Sequence, residues 1–244
     1  MSQLTLTGCG PSASPPNYWT FQVVTTAAGE TFTLQAVGVN AGKTCVVDWG
    51  DGSAPENWTG DALRSHVYAA AGTYTVIVTN ALEIWKIDMR DAKTSWTVSN
   101  AAPMPANLTY LHLQTLAGLT WDVGSVAGAN MPVNLTSLTL LDCGAITIDA
   151  TDVFPKSLTT FQFENHLTQA QVDAVLAALY LAFPTRTGTN GTIDLAGGGN
   201  AAPSGTAPGT AQCPPANGWN TAYELVNDSC NVSPNHWASV TCQT

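Results

Sequence analysis

The sequence predicts a mainly β protein: an N-terminal β-sandwich joined to a short solenoid of stacked strands, with one helix as its cap. Three observations predict it. A short apolar phrase recurs four times between Ile84 and Phe163, at a period of about 25 residues. Upstream, alternating apolar and polar runs are punctuated by Asp-Gly and Ala-Gly turns. Downstream, Val172, Val175, Leu176, Leu179 and Phe183 fall at helical spacing.

Residues 1–18 contain Pro11-Ser12-Ala13-Ser14-Pro15-Pro16, which suits neither a helix interior nor a central strand. An extended arm is expected there, free or laid along a neighbouring subunit. From Trp19 the alternation begins: Trp19-Thr20-Phe21-Gln22-Val23, then Thr31-Phe32-Thr33-Leu34-Gln35-Ala36-Val37. Cys45-Val46-Val47-Asp48-Trp49 runs into Gly50-Asp51-Gly52-Ser53, where Asp and Gly supply a tight turn because they tolerate positive φ. His66-Val67-Tyr68, the turn Ala71-Gly72 and Thr73-Tyr74-Thr75-Val76-Ile77-Val78 follow.

Val-Asp-Trp-Gly-Asp-Gly-Ser, His-Val-Tyr and Ala-Gly-Thr-Tyr-Thr-Val, in that order, resemble the polycystic-kidney-disease (PKD) domain family. The resemblance implies an immunoglobulin-like sandwich over residues 19–81. It also implies structural roles for Trp49, Asp51, Gly52 and Tyr74, with Trp49 filling the sandwich and Tyr74 beside it. Asp48, Asp51 and His66 are read as turn and core residues rather than metal ligands, since the His has no evident partner ligands. Val78-Thr79-Asn80-Ala81 is too short and apolar for a hinge, so a rigid junction is expected.

The phrase itself is apolar-x-x-apolar-x-apolar: Ile84-Trp85-Lys86-Ile87-Asp88-Met89, Leu108-Thr109-Tyr110-Leu111-His112-Leu113, Leu135-Thr136-Ser137-Leu138-Thr139-Leu140 and Leu158-Thr159-Thr160-Phe161-Gln162-Phe163. This resembles an irregular leucine-rich repeat over residues 82–200. The position such repeats give to Asn or Cys is held by Ala92, Leu116, Cys143 and His166, so only Cys143 fits and no buried Asn ladder is expected. Met104-Pro105, Met131-Pro132 and Phe154-Pro155 precede the phrases, Pro ending each previous turn. Leu119-x-Trp121 and Ile146-x-Ile148 continue the pattern on the next side.

Thr168-Gln169-Ala170-Gln171 reads as a capping box that opens a helix over 168–183, sealing the repeat core. Residues 201–244 form a Gly/Pro-rich connection and then a tail whose two Trp and two Cys suggest docking, on the repeats or on another chain. Gly197-Gly198-Gly199-Asn200 lacks the Gly-Lys-Ser/Thr of a phosphate loop. Among Cys9, Cys45, Cys143, Cys213, Cys230 and Cys242 there is no Cys-x-x-Cys, so no structural zinc is expected. Most are read as reduced thiols, with one bridge among the last three.

Of 244 residues only 10% are charged, and seven basic against 17 acidic give a formal charge of −10. Without clustered Lys or Arg, neither nucleic acid nor an anionic membrane is an expected partner. Met1-Ser2-Gln3-Leu4-Thr5 has no basic n-region or apolar h-region, so no secretory signal is expected. No nucleophile–base motif or metal-binding His pair is present, so no catalytic residue, cofactor or metal is assigned and the chain is read as a non-enzyme. Asp149 and Asp152 are read as solvated loop residues.

Stacking the phrases in register generates outward rows: Lys86-Tyr110-Ser137-Thr160, Asp88-His112-Thr139-Gln162 and Arg90-Gln114-Leu141-Glu164. Lys86, Asp88, Arg90, Tyr110, His112, Gln114, Thr139, Gln162 and Glu164 are therefore the candidate binding residues, against the plain alternative of a solvated sheet face. Trp58, Trp96 and Trp237 are candidates for sugar stacking or subunit burial. The composition, arm, tail and pairing of modules suggest a virion structural protein. It would be a phage capsid decoration, fibre or tail-associated component, forming a homo-oligomer or contacting other virion subunits. The alternative is an extracellular or cell-surface adhesin that holds a host-surface glycan or protein.

Overall fold

Alternation in the first third resolves into six strands: β1 (Tyr18–Thr25), β2 (Glu30–Val39), β3 (Cys45–Asp48), β4 (Glu56–Trp58), β5 (Asp61–Tyr68) and β6 (Gly72–Thr79). The computed structural model describes residues 17–99, 103–123, 131–207, 209–230, 232–233 and 235–244. The arm expected over 1–18, apart from its last two residues, and Cys9 lie outside the described residues.

The repeated phrases form β7 (Ile84–Met89), β9 (Tyr110–Gln114), β11 (Ser137–Leu141) and β13 (Thr160–Glu164). Between them lie β8 (Thr94–Val98), β10 (Gly118–Asp122) and β12 (Ala145–Thr147). After β13 come α1 (Gln169–Ala182), β14 (Thr192–Leu195), α2 (Gly218–Asn227) and β15 (Ser239–Cys242).

The protein is thus mainly β, built on two mixed sheets. An eight-stranded sheet has the order β15-β14-β13-β11-β9-β7-β2-β5, and a seven-stranded sheet β12-β10-β8-β1-β6-β3-β4. From β7 to β13 the chain alternates between them, each crossing adding one parallel strand to either sheet. Both sheets also run unbroken across residue 81: β2 pairs antiparallel with β7, and β1 with β8 through Gln22↔Ser95 and Val23↔Thr94. One hydrophobic core fills the space between, from Trp19 and Trp49 to Leu195 and Trp237. Ile87, Leu111, Leu138 and Phe161 are wholly buried in adjacent strands. Truncating any of the leucines to Ala would cost about 2–5 kcal/mol.

A threonine holds each phrase to the one before. The backbone N–H and hydroxyl of Thr109 both donate to the Trp85 carbonyl, at 2.8 and 3.0 Å. Thr136 does the same to Thr109 O (2.8 and 2.9 Å), and Thr159 to Thr136 O (2.8 and 3.1 Å). The turns before the strands also repeat: the N–H groups of Leu108, Leu135 and Leu158 donate to Pro105, Pro132 and Pro155 O at 3.1–3.2 Å. Asn200 is buried and does for one level what an asparagine ladder would do for all. It accepts from Asn165 N and Leu167 N and donates to Phe163 O and Leu195 O.

The capping box at the start of α1 is present, with Thr168 accepting from Gln171 N and the Gln171 side chain accepting from Thr168 N. Beyond it the chain departs from the simple cap-and-tail expectation. Residues 218–227 are helical, capped by Asn217, and β15 adds a further parallel strand outside β14. The tail therefore docks on its own chain. Arg186 holds it there: its guanidinium donates to Asn235 O (2.6 Å), His236 O (3.0 Å) and Leu158 O (3.2 Å) and lies 3.9 Å from the Trp237 ring centroid. Burial pulls the pKa of this guanidinium down to about 10. Cys213 and Cys230 are bridged, while Cys45, Cys143 and Cys242 are free, with thiols that burial raises to about 11, 11 and 12.

Candidate functional site

Strand pairing sets Lys86 opposite Tyr110 opposite Ser137 opposite Thr160, and Asp88 opposite His112 opposite Thr139 opposite Gln162. Gln114, Leu141 and Glu164 form the third row. These side chains share one face of the eight-stranded sheet because they alternate with the buried positions. The face is less open than a solvated one, since Asp88 is 7% and Thr139 8% exposed.

Asp88 is covered by Arg90, which binds it through two parallel hydrogen bonds of 2.7 and 2.8 Å. That pairing raises the arginine pKa further. Arg90 Nη2 also lies 3.3 Å from His112 Nδ1. Burial, reinforced by Arg90 and opposed by Asp88, lowers the His112 pKa and keeps the imidazole neutral at pH 7. With Nδ1 accepting from Arg90, the ring proton sits on Nε2, a buried atom without a hydrogen-bond partner. Further along, Gln162 Nε2 donates to Glu164 Oε1 at 2.6 Å, and Gly198, at a φ of 60°, lies so close to the Glu164 backbone and Cβ that it could not carry a Cβ of its own.

One important residue of this face is invisible to the row argument. β2 meets β7 with a register shift, Gly38↔Lys86 followed by Val39↔Ile84, which leaves Trp85 as an extra residue. Such a bulge re-aims its side chain. The indole lies over Gly38, where an added Cβ would come within 2.6 Å of the ring. Lys86 Nζ then sits 5.9 Å from the Trp85 ring centroid and 5.6 Å from that of Tyr110, and 2.9 Å from Asp61 Oδ2. The clue in the sequence was that Trp85 occupies the position held by Thr109, Thr136 and Thr159 in the other phrases.

The three tryptophans singled out for stacking are unavailable to a ligand. Trp58, Trp96 and Trp237 are 0, 1 and 2% exposed, because their apolar area is spent on the core. Asp152 likewise is not a solvated loop residue: it is fully buried, accepts from Asp149 N at 2.7 Å, and burial raises its carboxyl pKa.

The aromatic residues of the first third gather into one chain of rings. Trp49, 1% exposed, stacks on His66 at 4.7 Å; His66 meets Tyr68 at 4.7 Å, and Tyr68 stacks on Tyr74 at 4.2 Å. Tyr74 thus packs on Tyr68 rather than directly on Trp49. His66 has a partner after all, Asp51, at 2.7 Å. Asp51 and Asp48 accept from Ser53 N and Gly50 N, closing the turn in which Gly52 takes a φ of 82°. Cys143 Sγ lies 3.4 Å from Leu113 O and 3.5 Å from Leu141 O.

No family model, curated protein or solved structure matches the chain. The chemistry of the residues must carry the reading. Trp85, Lys86, Tyr110, Arg90, His112 and Gln162 combine aromatic surface with donors and acceptors on a rigid sheet, the make-up of a surface for a polar, hydroxyl-rich ligand. The chain's one close cluster of metal-ligand types among the described residues is Cys213, Glu224 and Cys230. Its two sulfurs are bonded to each other, and Glu224 accepts from Gln212 N and Cys230 N.

Proposed function

We propose that the protein is a non-enzymatic structural component displayed on a virus particle, such as a phage capsid decoration, fibre or tail-associated protein. In this reading a PKD-like sandwich continues edge-on into a short leucine-rich-repeat-like solenoid, and the Trp85–Tyr110 face meets a host-surface glycan. The observation that carries the reading is the bulge at Trp85. It turns an indole out of the core and onto a polar face, beside Lys86 and Tyr110, at the cost of a glycine at position 38. A solvated sheet face has no use for that arrangement. Two sheets continuous through the whole body supply the stiffness that a displayed module needs.

The Cys213–Cys230 bridge supports a second setting, a cell-surface adhesin, because disulfides persist in oxidising surroundings. Two measurements test the proposal. Purified particles from the source should carry the protein in fixed stoichiometry. A glycan array should give binding that Trp85→Ala abolishes while Thr120→Ala, on the other sheet, preserves it. Binding without particle association would favour the adhesin, and the absence of both particle association and binding would overturn the proposal.

A further inference from the structure

Two open sheets have four edges. Three are short, as natural edges tend to be to resist stray pairing: β4 and β12 have three residues each and β15 has four. The fourth, β5, has eight residues and, among the described residues, pairs only with β2. It carries neither Pro nor Lys. Its charged side chains are already engaged, Asp61 with Lys86 and Arg64 with Thr59 O and the Trp58 ring. Its outward row is instead Asp61, Leu63, Ser65 and Val67, with Leu63 60% and Val67 57% exposed.

We infer that β5 is a self-pairing edge: a second copy of this chain adds antiparallel to it about a two-fold axis through Ser65. Backbone direction permits this. Hydrogen bonds from Gly29 N to Tyr68 O and from Val39 N to Gly60 O turn the even-numbered residues toward β2. The N–H and C=O groups of Leu63, Ser65 and Val67 therefore face away from it. Register selects the axis. Centred on Ser65, the pairing sets Leu63 of one copy opposite Val67 of the other, twice, on the same face. Directly opposed apolar side chains are the unit of sheet stabilisation. Centred on Arg64, it would oppose two arginines and set Asp61 against Val67. Centred between residues, it would oppose inward and outward side chains. Only the Ser65 axis joins the two exposed apolar residues to each other.

The result is one sheet running through both copies, with the two Trp85 faces on the same side. This inference does not rest on the virion reading, since the edge is self-complementary whatever the face binds. Light scattering on the full chain tests it. A dimer that Leu63→Lys converts to monomer, with unchanged circular dichroism, is the expected result. Ser65→Cys should crosslink into a covalent dimer on mild oxidation, beyond any background from the chain with Ser65. Asp61→Cys, far from its symmetry mate, should not. If Leu63→Lys fails to fold, the Ser65→Cys result decides. A monomer at every accessible concentration, a dimer indifferent to Leu63→Lys, or equal crosslinking at positions 61 and 65 would overturn the inference.

Discussion

The indole of Trp85 rests against the backbone of Gly38, and a Cβ at residue 38 would lie 2.6 Å from the ring and 2.9 Å from Lys86 Cβ. Neither neighbour can retreat freely, because the ring is held by the bulge and Lys86 by its strand. Gly38→Ala should therefore lift the indole, destabilise the fold by about 1–3 kcal/mol, and weaken any ligand that stacks on Trp85. Chemical denaturation and Trp85 fluorescence, compared with Trp85→Phe, read the two effects separately.

The threonine second in each of the last three phrases carries a hydroxyl donor in addition to its N–H. Thr109→Val keeps the shape and removes the bond to Trp85 O, which is 3.0 Å long and half-buried. A loss of about 1 kcal/mol is expected, and Thr109→Ser should recover most of it. Equal stability of the Val and Thr proteins would show that the N–H alone suffices.

These threonines illustrate what was legible. Leu111, Leu138 and Phe161 announced their register because the same apolar-x-x-apolar-x-apolar pattern, recurring in each phrase despite unequal spacing, permits one stacking of the strands, and that register is the observed one. The Leu-Thr pairs were in plain view, but hydroxyl-to-carbonyl bonding between strands leaves no hydropathy signal. The exposed-looking tryptophans misled for a related reason: burial of Trp58 and Trp96 depends on which sheet closes over them, and that is long-range. α2 was missed because its buried positions include Asn220, Thr221 and Glu224, polar residues that pattern reading assigns to a surface. Trp85 was assigned to a strand but not to the outward polar face, since a bulge is a two-strand property and only one strand can be read at a time.

Asp51 couples the turn after β3 to pH. Burial alone would raise its carboxyl, but hydrogen bonds from Ser53 and His66 outweigh that and hold it at about 2. An unfolded-chain aspartate titrates near ~4, so the folded state binds the proton more weakly. The resulting stability, about 2 kcal/mol, is fully present above ~4 and is lost as pH falls toward 2. Denaturation curves across that window should show the loss in the natural protein and a flatter profile in Asp51→Asn. Identical acid limbs would mean that Asp51 is not the group responsible.

Arg186 does for the C-terminal strand what the threonines do between phrases. Three carbonyls, of Leu158, Asn235 and His236, take hydrogen bonds from its buried guanidinium, and Trp237 covers its face. Burying the charge has a cost, seen in its lowered pKa, yet deleting it removes three hydrogen bonds at once, of which the one to the Leu158 carbonyl is buried. Arg186→Met should thus destabilise by about 2–4 kcal/mol, mostly locally. The amides of Val240 and Cys242 in β15 should exchange faster while those of Leu111 and Leu138 stay protected. Arg186→Lys should rescue little, because an ammonium lacks the planar fork that reaches Leu158 on one side and residues 235–236 on the other. Uniform loss of protection across both sheets would instead mean that the docked tail and the repeat core unfold as one unit.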